Sequence, residues 1–461
     1  MKKGFLIFAC LFILILVSKV GNGQNVTTIA GNGAAAYGGD GGPATAASLD
    51  SPSFIAFGLR GGFGMLYVDD AANNRMRQIK IGSIITCVAG DGVVGYTGDG
   101  GLATAAELNN PGGMAPDKRG NLYFAELNNG VVRKINELGV ISTIGGNGGT
   151  TFSGDGGLAT NASFNIPHNV AVDPIGNVYV CDQWNQCIRK IDTSGRISTV
   201  AGTPTVAGFG GDGGPATNAL LSYPNYVRAD TLGNLFITDN GNQRIRKVNA
   251  AGVISTIAGN GSVGFSGDGG QATNASLQWP GGIQFDSYGN IYIGDAYNEV
   301  VRVVEFSTGK IFTIAGTPGV AGFSGDGGPA TAALFNKPSD IAVDDRNNIY
   351  VNDWWNNRIR KIVAIYPPLM AQVTEKQNAQ LSFSPNPTDG KIQVQWSYIH
   401  AGRANVSLMQ ITGSLIFSTT FEINATDGSA EVQLPQLENG MYLLTVQTDD
   451  YKKTESIIIS K

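Results

Sequence analysis

The sequence predicts an all-β fold: a six-bladed β-propeller closed by the N-terminal strand, followed by a small Ig-like β-sandwich. An Asp-Gly-Gly loop motif recurs six times, at intervals of 59, 56, 57, 56 and 58 residues, with its aspartates at Asp40, Asp99, Asp155, Asp212, Asp268 and Asp326. A fixed period of this size indicates a repeat architecture. Short apolar runs alternate with turn residues between the copies, which is typical of strands. The two ends of the repeat region also carry complementary parts of one unit.

The first 23 residues predict a secretory signal peptide. Lys2 and Lys3 precede an apolar run at 5–17, and the small residues Gly21 and Gly23 follow it. This order is typical of a cleaved export signal. A membrane anchor is the alternative, but the run is shorter than the ~20 apolar residues that a spanning helix needs. No later segment has transmembrane character, so we expect an exported mature protein without a stable membrane span.

The composition excludes one class of partner. Only 15% of the residues are charged and the formal net charge is -5. A nucleic-acid-binding surface needs clustered positive charge. We therefore expect no nucleic-acid partner.

The third copy of the repeat shows how each unit is built. Its apolar runs at 170–173, 178–180, 188–191 and 197–202 are separated by turn residues. Four short strands of this kind form one antiparallel sheet. Such sheets repeated around an axis are propeller blades.

The ends of the repeat region indicate closure of the ring. The last copy stops at 359–362 without the closing Thr-Ile-Ala-Gly strand, and an unpartnered Thr-Ile-Ala-Gly lies at 28–31. This N-terminal strand can complete the sixth blade and remove an open sheet edge. We therefore predict a six-bladed propeller over residues 24–365.

The C-terminal part predicts a second, smaller domain. Residues 366–380 break the repeat and are interpreted as a linker. Residues 381–461 contain several alternating segments, including 392–396 and 432–434. Several strands in a module of this size favour an Ig-like sandwich.

The repeat resembles the NHL repeat over roughly residues 25–365. The sixth copy carries the motif nearly whole, at 338–344 (PSDIAVD) and 353–361 (DWWNNRIRK). The Gly-Asp-Gly-Gly insertion is similar to the loop of secreted, teneurin-like NHL propellers. This resemblance implies the propeller fold and a family of binding proteins with a few lyases, so it indicates fold better than function.

The C-terminal domain resembles the type A sorting domain of type IX secretion. The marks are 384–390 (SPNPTDG), 440–442 (GMY) and a terminal aliphatic strand ending in lysine. The resemblance implies passage across an outer membrane, contact with the secretion machinery, and release or attachment at the cell surface. An ordinary fibronectin-like adhesive module is the alternative.

Positions that differ between blades are the candidate ligand-binding residues. Trp184, Tyr297 and Trp355 occupy one equivalent loop position, and Trp354 adjoins the last. Large aromatic side chains on a loop can stack on sugar rings or anchor peptides. Packing against the neighbouring long loop is the alternative. We expect the loops between blades and those between second and third strands to share one face.

Residues present in every blade are interpreted as structural. Each Asp-Gly-Gly aspartate could bind calcium, but calcium takes ~6–8 oxygen ligands and each loop supplies one acidic side chain. We therefore predict no cofactor, with calcium as the alternative to a glycine turn held by the aspartate. The Asp-x-x-Asn loops that begin at Asp70 and its equivalents are interpreted in the same way.

His168 and the cysteines are the remaining candidates. His168 is the one imidazole of the repeat region, near the mouth of the propeller channel, and is a candidate ligand or catalytic residue. Cys181 and Cys187 flank a short loop and could form a disulfide in an oxidising compartment, which would leave Cys87 free. Three cysteines without ligand spacing do not indicate a zinc site.

These observations predict a secreted or cell-surface protein without enzymatic activity. We expect it to recognise an extracellular glycan or protein through its loop face after export by the sorting domain. The alternatives are a structural spacer of the matrix and a secreted lyase or hydrolase that uses His168 or face carboxylates.

Overall fold

The computed structural model describes residues 24–60, 63–80, 84–363, 380–384, 391–397, 402–410, 415–423, 428–447 and 452–459. The expected signal peptide and residues 366–379 of the expected linker lie outside the described residues. The chain divides into two compact units, residues 1–364 and 365–461. The predicted all-β class is confirmed in both units.

The described part of the first unit contains six antiparallel four-stranded sheets. Sheet 1 contains β2 (Ile55–Arg60), β3 (Phe63–Asp70), β4 (Arg75–Lys80) and β5 (Ile85–Ala89), and sheet 2 contains β6 (Pro111–Pro116), β7 (Leu122–Glu126), β8 (Val131–Ile135) and β9 (Ile141–Gly145). Sheet 3 contains β10 (Pro167–Val172), β11 (Val178–Asp182), β12 (Cys187–Ile191) and β13 (Ile197–Ala201), and sheet 4 contains β14 (Pro224–Ala229), β15 (Leu235–Asp239), β16 (Arg244–Val248) and β17 (Ile254–Ala258). Sheet 5 contains β18 (Pro280–Phe285), β19 (Ile291–Asp295), β20 (Val300–Val304) and β21 (Ile311–Ala315), and sheet 6 contains β22 (Pro338–Val343), β23 (Ile349–Asp353) and β24 (Arg358–Ile362) together with the N-terminal strand β1 (Val26–Ala30).

Burial explains why the second strands are largely apolar up to the acidic residue that ends each of them. Every residue of β11 is buried, whereas β13 buries mainly its ends. A strand that is covered on both faces cannot alternate between apolar and polar residues. The buried side chains of sheets 3 and 4, such as Ile188, Leu221 and Ile237, form one continuous core between the two sheets.

Sheet 6 is assembled from both ends of the repeat region. β1 pairs antiparallel with β24, with Val26 opposite Ile362 and Thr28 opposite Arg360. The first strand of each sheet contacts the first strand of the next, and β22 contacts β2 of sheet 1. The Asp340 carboxylate accepts a hydrogen bond from the Ile55 amide at 2.8 Å. The last and first sheets are therefore neighbours.

Helical structure within the described residues is confined to single 3₁₀ turns. They span Ala44–Ala46, Ala71–Asn73, Ala103–Ala105, Ala159–Asn161, Gln183–Asn185, Ala216–Asn218, Asn240–Asn242, Ala272–Asn274, Ala296–Asn298, Ala330–Ala332 and Trp354–Asn356. The turns after the second strands end on a left-handed residue, such as Gln186 with φ 59°. They reverse the chain sharply between the second and third strands.

The second unit has two sheets that share one core. The first contains β25 (Gln380–Ser384), β26 (Lys391–Ser397) and β29 (Gly428–Gln433). The second contains β27 (Gly402–Gln410), β28 (Leu415–Ile423), β30 (Gly440–Gln447) and β31 (Lys452–Ile459). Ile392 and Val394 of the first sheet join Val406, Leu444 and Ile457 of the second in this core.

Candidate ligand-binding surface

A buried arginine in every sheet bridges two carboxylates. In sheet 3, Arg189 donates to Asp155 at 2.6 Å and to Asp182 at 3.2 Å. Asp155 also accepts bonds from the amide and hydroxyl of Thr199. The equivalent arginines and their two partners are Arg77 with Asp40 and Asp70, Arg133 with Asp99 and Glu126, Arg246 with Asp212 and Asp239, Arg302 with Asp268 and Asp295, and Arg360 with Asp326 and Asp353. Both repeated acidic sets therefore anchor the long loops to their sheets.

The Asp-Gly-Gly loops lie along the outer edges of the sheets. In sheet 3, the Gly156 amide donates to the Ile197 carbonyl at 2.8 Å, and the Ile197 amide donates back to Gly157 at 3.1 Å. Because an edge strand presents unpaired amides and carbonyls, such a loop satisfies them. These segments therefore cover the rim, whereas the sequence analysis expected the loops between blades to lie on the same face as the loops between second and third strands.

The aromatic residue before each Asp-Gly-Gly packs on the bridging arginine. In sheet 3 the Arg189 guanidinium carbon lies 4.4 Å from the centre of the Phe152 ring. The equivalent pairs are Tyr37 with Arg77, Tyr96 with Arg133, Phe209 with Arg246, Phe265 with Arg302 and Phe323 with Arg360. These aromatic side chains hold the loop, as the sequence indicates. Both oxygens of Asp155 accept hydrogen bonds from the protein, and calcium binding stays the alternative to a structural role of these loops.

Five exposed aromatic residues lie in sheets 3 to 6 at two loop positions, the Trp184 position and the residue before the first strand. Trp184 is 56% exposed and packs edge-on against Tyr223, with ring centres 6.0 Å apart. Trp279 lies 5.6 Å from Tyr297, and Trp355 is 57% exposed. We call these five residues the aromatic arc. The equivalent positions of sheets 1 and 2 carry Ser51, Ala72, Asn110 and Asn128.

The sequence analysis missed Tyr223 and Trp279. Both immediately precede the first proline of a first strand and have positive φ, 46° and 54°. The equivalent residue varies from sheet to sheet, namely Ser51, Asn110, Ile166, Tyr223, Trp279 and Lys337. Comparing this position between copies, as was done for the Trp184 position, would have identified both.

Lys337 adds a positive charge to the aromatic arc. Its Nζ lies 4.0 Å from the centre of the Tyr297 ring and 3.3 Å from that of Trp355. An ammonium is attracted to the face of an aromatic ring. The Lys337 amide donates to Glu299 at 2.6 Å, and burial raises the pKa of that carboxyl. Trp354 is partly buried and packs on Trp355, 6.2 Å between centres, so it supports the arc.

His168 lies on β10, and among the described residues no carboxylate is hydrogen-bonded to its ring, as a general base would require. Its Nδ1 donates to the Asn225 carbonyl at 2.8 Å, and its ring meets the edge of Phe54 at 5.0 Å. Burial lowers the pKa of His168 to about 4. The imidazole is therefore neutral at physiological pH. It packs against Phe54, whose ring centre lies 5.7 Å from that of Tyr226.

Two buried carboxyls lie near these rings. Burial raises the pKa of Asp69 to about 8 and that of Asp340 to about 7. Asp69 accepts bonds from the amides of Ser53 and Phe54, both at 2.7 Å. Both carboxyls thus accept hydrogen bonds from main-chain amides near the start of β2, and both are fully buried.

The possible bridge between Cys181 and Cys187 is absent, because both thiols are free. Cys181 is opposite Ile188, and Cys187 is opposite Asp182. Neighbouring positions on a strand point to opposite faces of the sheet. The two sulfurs therefore lie on different faces of sheet 3, and Cys87 is free as well.

Comparisons with protein families confirm the two predicted resemblances. Residues 82–153 and 147–208 match the teneurin NHL domain, and residues 335–362 match the NHL repeat. Residues 382–460 match the secretion system C-terminal sorting domain. The chain therefore carries NHL repeats and a sorting domain of type IX secretion. The predicted export to the cell surface or extracellular space is confirmed.

Curated relatives match part of this chain. Teneurin-1 of Mus musculus is 30% identical over 233 residues, which is 45% of this chain and 8% of teneurin-1. SUPPRESSOR OF QUENCHING 1 of Arabidopsis thaliana is 25% identical over 275 residues, 57% of this chain and 26% of that protein. The chain thus spans about a quarter or less of the length of these relatives.

Solved structures with a propeller-like fold resemble the described sheets. A Bacteroides thetaiotaomicron protein of unknown function has a TM-score of 0.54 and 20% identity over 74% of this chain and 76% of its own. An auxiliary nutrient binding protein from Bacteroides ovatus has a TM-score of 0.53 and 17% identity over 74% and 77%. In the part of the chain that the structure describes, no helix has the length and apolar character to span a membrane.

Proposed function

We propose that the protein is a non-enzymatic binding propeller of the cell surface or extracellular space. In this proposal the six sheets are six blades of one ring, closed by β1, over residues 24–365. Residues 381–461 are the sorting domain, joined by a linker at 366–380. The pairing of β1 with β24 and the contact of β22 with β2 support the closed ring.

The aromatic arc carries the proposed binding function. Its tryptophans Trp184 and Trp355 are 56% and 57% exposed, more than the aromatic residues that anchor the loops, such as Tyr96 at 49%. Exposed tryptophans in groups are characteristic of recognition surfaces, because a flat ring offers a large contact area at low entropic cost. The arc is confined to sheets 3 to 6, so it is not a feature that the fold itself requires.

The ligand is an extracellular glycan or protein. Sugar rings present C–H groups that stack on tryptophan. Lys337, which is 8% exposed and lies against the Tyr297 and Trp355 rings, would attract an anionic group on the ligand. A binding role is also stated in the name of the auxiliary nutrient binding protein from Bacteroides ovatus, which shares the fold.

A glycan and extracellular-matrix array tests the proposal. The secreted full chain is applied with calcium and with chelator, beside a Trp184→Ala/Trp355→Ala variant. Phe306→Ala is the matched control, because Phe306 is 75% exposed but lies outside the arc, in the turn between β20 and β21. We expect binding that the double variant loses and the control retains.

The other outcomes are informative. Binding retained by the double variant would overturn the arc as the site. Loss in chelator would support calcium in the Asp-Gly-Gly loops. A blank array with all protein forms would favour the alternative of a matrix spacer.

A further inference from the structure

Three sheets place their own arginine in a pocket on the rim. In sheet 4, Arg244 donates to the Asn242 carbonyl at 3.0 Å and to the Asn260 carbonyl at 2.7 Å. Its guanidinium carbon lies 3.8 Å from the centre of the Phe209 ring. Each such arginine thus has one aromatic ring and two main-chain carbonyls as partners.

Sheets 6 and 1 repeat this arrangement. Arg358 donates to the carbonyls of Asn356 at 2.9 Å and Asn32 at 2.8 Å, and lies 3.8 Å above Phe323. In sheet 1, Arg75 meets Tyr37 and donates to the carbonyls of Asn73 and Asp91.

The loop after each of these sheets contains Gly-Asx-Gly and is one residue shorter than the loops after sheets 3 and 5. The second glycine is needed, because a Cβ at Gly261 would lie 2.2 Å from the guanidinium of Arg244, and Gly33 and Gly92 are equally close to theirs. The shorter loop and the arginine therefore occur together in sheets 1, 4 and 6.

Sheets 3 and 5 have no such arginine and close the space in another way. Cys187 and Val300 stand at the arginine position, and the following loop is one residue longer. The Thr205 amide donates to the Asn185 carbonyl at 2.7 Å, and the Gly319 amide donates to the Asn298 carbonyl at 2.9 Å. The longer loop supplies the hydrogen bond that the arginine would make.

Sheet 2 has the short loop without the arginine. Its loop is Gly146-Asn147-Gly148, but Val131 stands at the arginine position. Among the described residues, neither the Asn129 carbonyl nor the Asn147 carbonyl accepts a hydrogen bond. A Cβ at Gly148 would meet only the Asn129 oxygen, at 3.6 Å.

A cavity fills the resulting space. Its volume is about 450 Å³, and its lining includes Tyr96, Asp99, Asn129, Val131 and Asn147. The Tyr96 ring is 49% exposed. The cavity therefore retains the aromatic ring and the two carbonyls that hold an arginine in sheets 1, 4 and 6.

We propose that this cavity receives an arginine side chain of a partner polypeptide. The guanidinium stacks on Tyr96 and donates to the carbonyls of Asn129 and Asn147. The Asp99 carboxylate adds an attractive charge. Arginine is favoured over lysine, because its planar group can stack and donate in two directions at once. The site is distinct from the aromatic arc.

Ligand-observed saturation-transfer NMR on the secreted full chain tests the proposal, with N-acetyl-arginine methylamide as the probe. We expect a saturable signal in the millimolar range, at least fivefold weaker with the matched lysine and citrulline compounds. Citrulline has the shape of arginine but no charge. No saturable signal from the arginine compound, or an equal one from citrulline, would overturn the proposal.

Val131→Arg supplies the missing side chain from within. We expect it to fold, to raise the melting temperature, and to abolish the signal. Val300→Arg is the matched control, since the Asn298 carbonyl is already occupied, and should retain the signal. If Val131→Arg does not fold, Arg244→Val is used in its place. Arg244→Val should roughly double the signal by opening a second cavity in sheet 4. A signal that survives Val131→Arg would overturn the assignment of the site.

Two further arms separate related explanations. Free arginine binding at least as tightly as the capped compound would overturn the choice of a polypeptide partner in favour of a metabolite. The Trp184→Ala/Trp355→Ala variant should bind the arginine compound normally. Loss of binding in that variant would contradict two separate sites.

Discussion

The bridging arginines and the aromatic arc belong to the same repeat but differ in how often they recur and in how far they are buried. An arginine and its two carboxylates occur in all six sheets, and the arginine side chain is fully buried each time. The residues of the aromatic arc lie in sheets 3 to 6 and are exposed. Repetition in this molecule therefore marks what holds the fold, and variation among exposed positions marks what can be recognised. Four predictions examine this distinction.

Deleting residues 24–31 should have the largest effect, because the repeated scaffold depends on them. Val26 and Ala30 are fully buried, and β24 would become an open edge. We expect the melting temperature to fall by more than about 10 °C, measured by calorimetry. Thr27→Ala, on the exposed side of β1, should change little. An unchanged melt after the deletion would contradict closure by β1.

Removing one bridging arginine should be nearly as damaging. Arg189→Met leaves the fully buried Asp182 without its charged partner. Losing one partner of a buried pair costs about 3–5 kcal/mol. Denaturant unfolding measures this loss. Arg196→Met is the control, since Arg196 is exposed and only donates to the Gly156 carbonyl. Equal effects of the two substitutions would show that the bridge does not stabilise the sheet.

Buried residues that vary between sheets should produce a smaller, pH-dependent effect. The folded-state pKa values of Asp69 and Asp340 are raised to about 8 and about 7. A folded state that holds protons more tightly than the unfolded chain loses stability as pH rises. We expect a melting temperature a few degrees lower at pH 8.5 than at pH 5.5.

Asp69→Asn should reduce this pH dependence, whereas the exposed Asp345→Asn should not. Melting curves across the pH range measure both. An unchanged decline in Asp69→Asn would mean that other groups cause the dependence.

The aromatic arc should contribute least to stability. Trp184→Ala/Trp355→Ala removes exposed rings, and surface substitutions usually change stability by less than about 0.5 kcal/mol each. We expect a melting temperature within about 2 °C of the unchanged protein. A large decrease would mean that the rings are structural and would weaken the proposed binding role.

The strands and their order could be predicted from the sequence, whereas the partners of the loop residues could not. Period-two patterns and turn residues are local signals. In contrast, Asp155 meets Arg189, which lies 34 residues further along the chain. No local pattern shows that the Asp-Gly-Gly loop would lie along a sheet edge instead of a face.

The register of β11 and β12 determines the faces of sheet 3 on which two cysteine side chains lie. Cys181 and Cys187 are close in sequence, but a difference of one position in the pairing places them on opposite faces. The sequence suggested proximity and could not supply the register. The same limitation applies to Tyr223, which joins Trp184 only because sheets 3 and 4 are neighbours.

The sequence by itself determined the repeated sheets, the complementary ends and the sorting domain, because each depends on a pattern that is read along the chain. Only the tertiary structure decided which exposed rings belong to the arc, which carbonyls on the rim of sheet 2 lack a donor among the described residues, and which thiols stay apart. These features depend on distances between segments that lie far apart in sequence, and such distances are set when the sheets pack together.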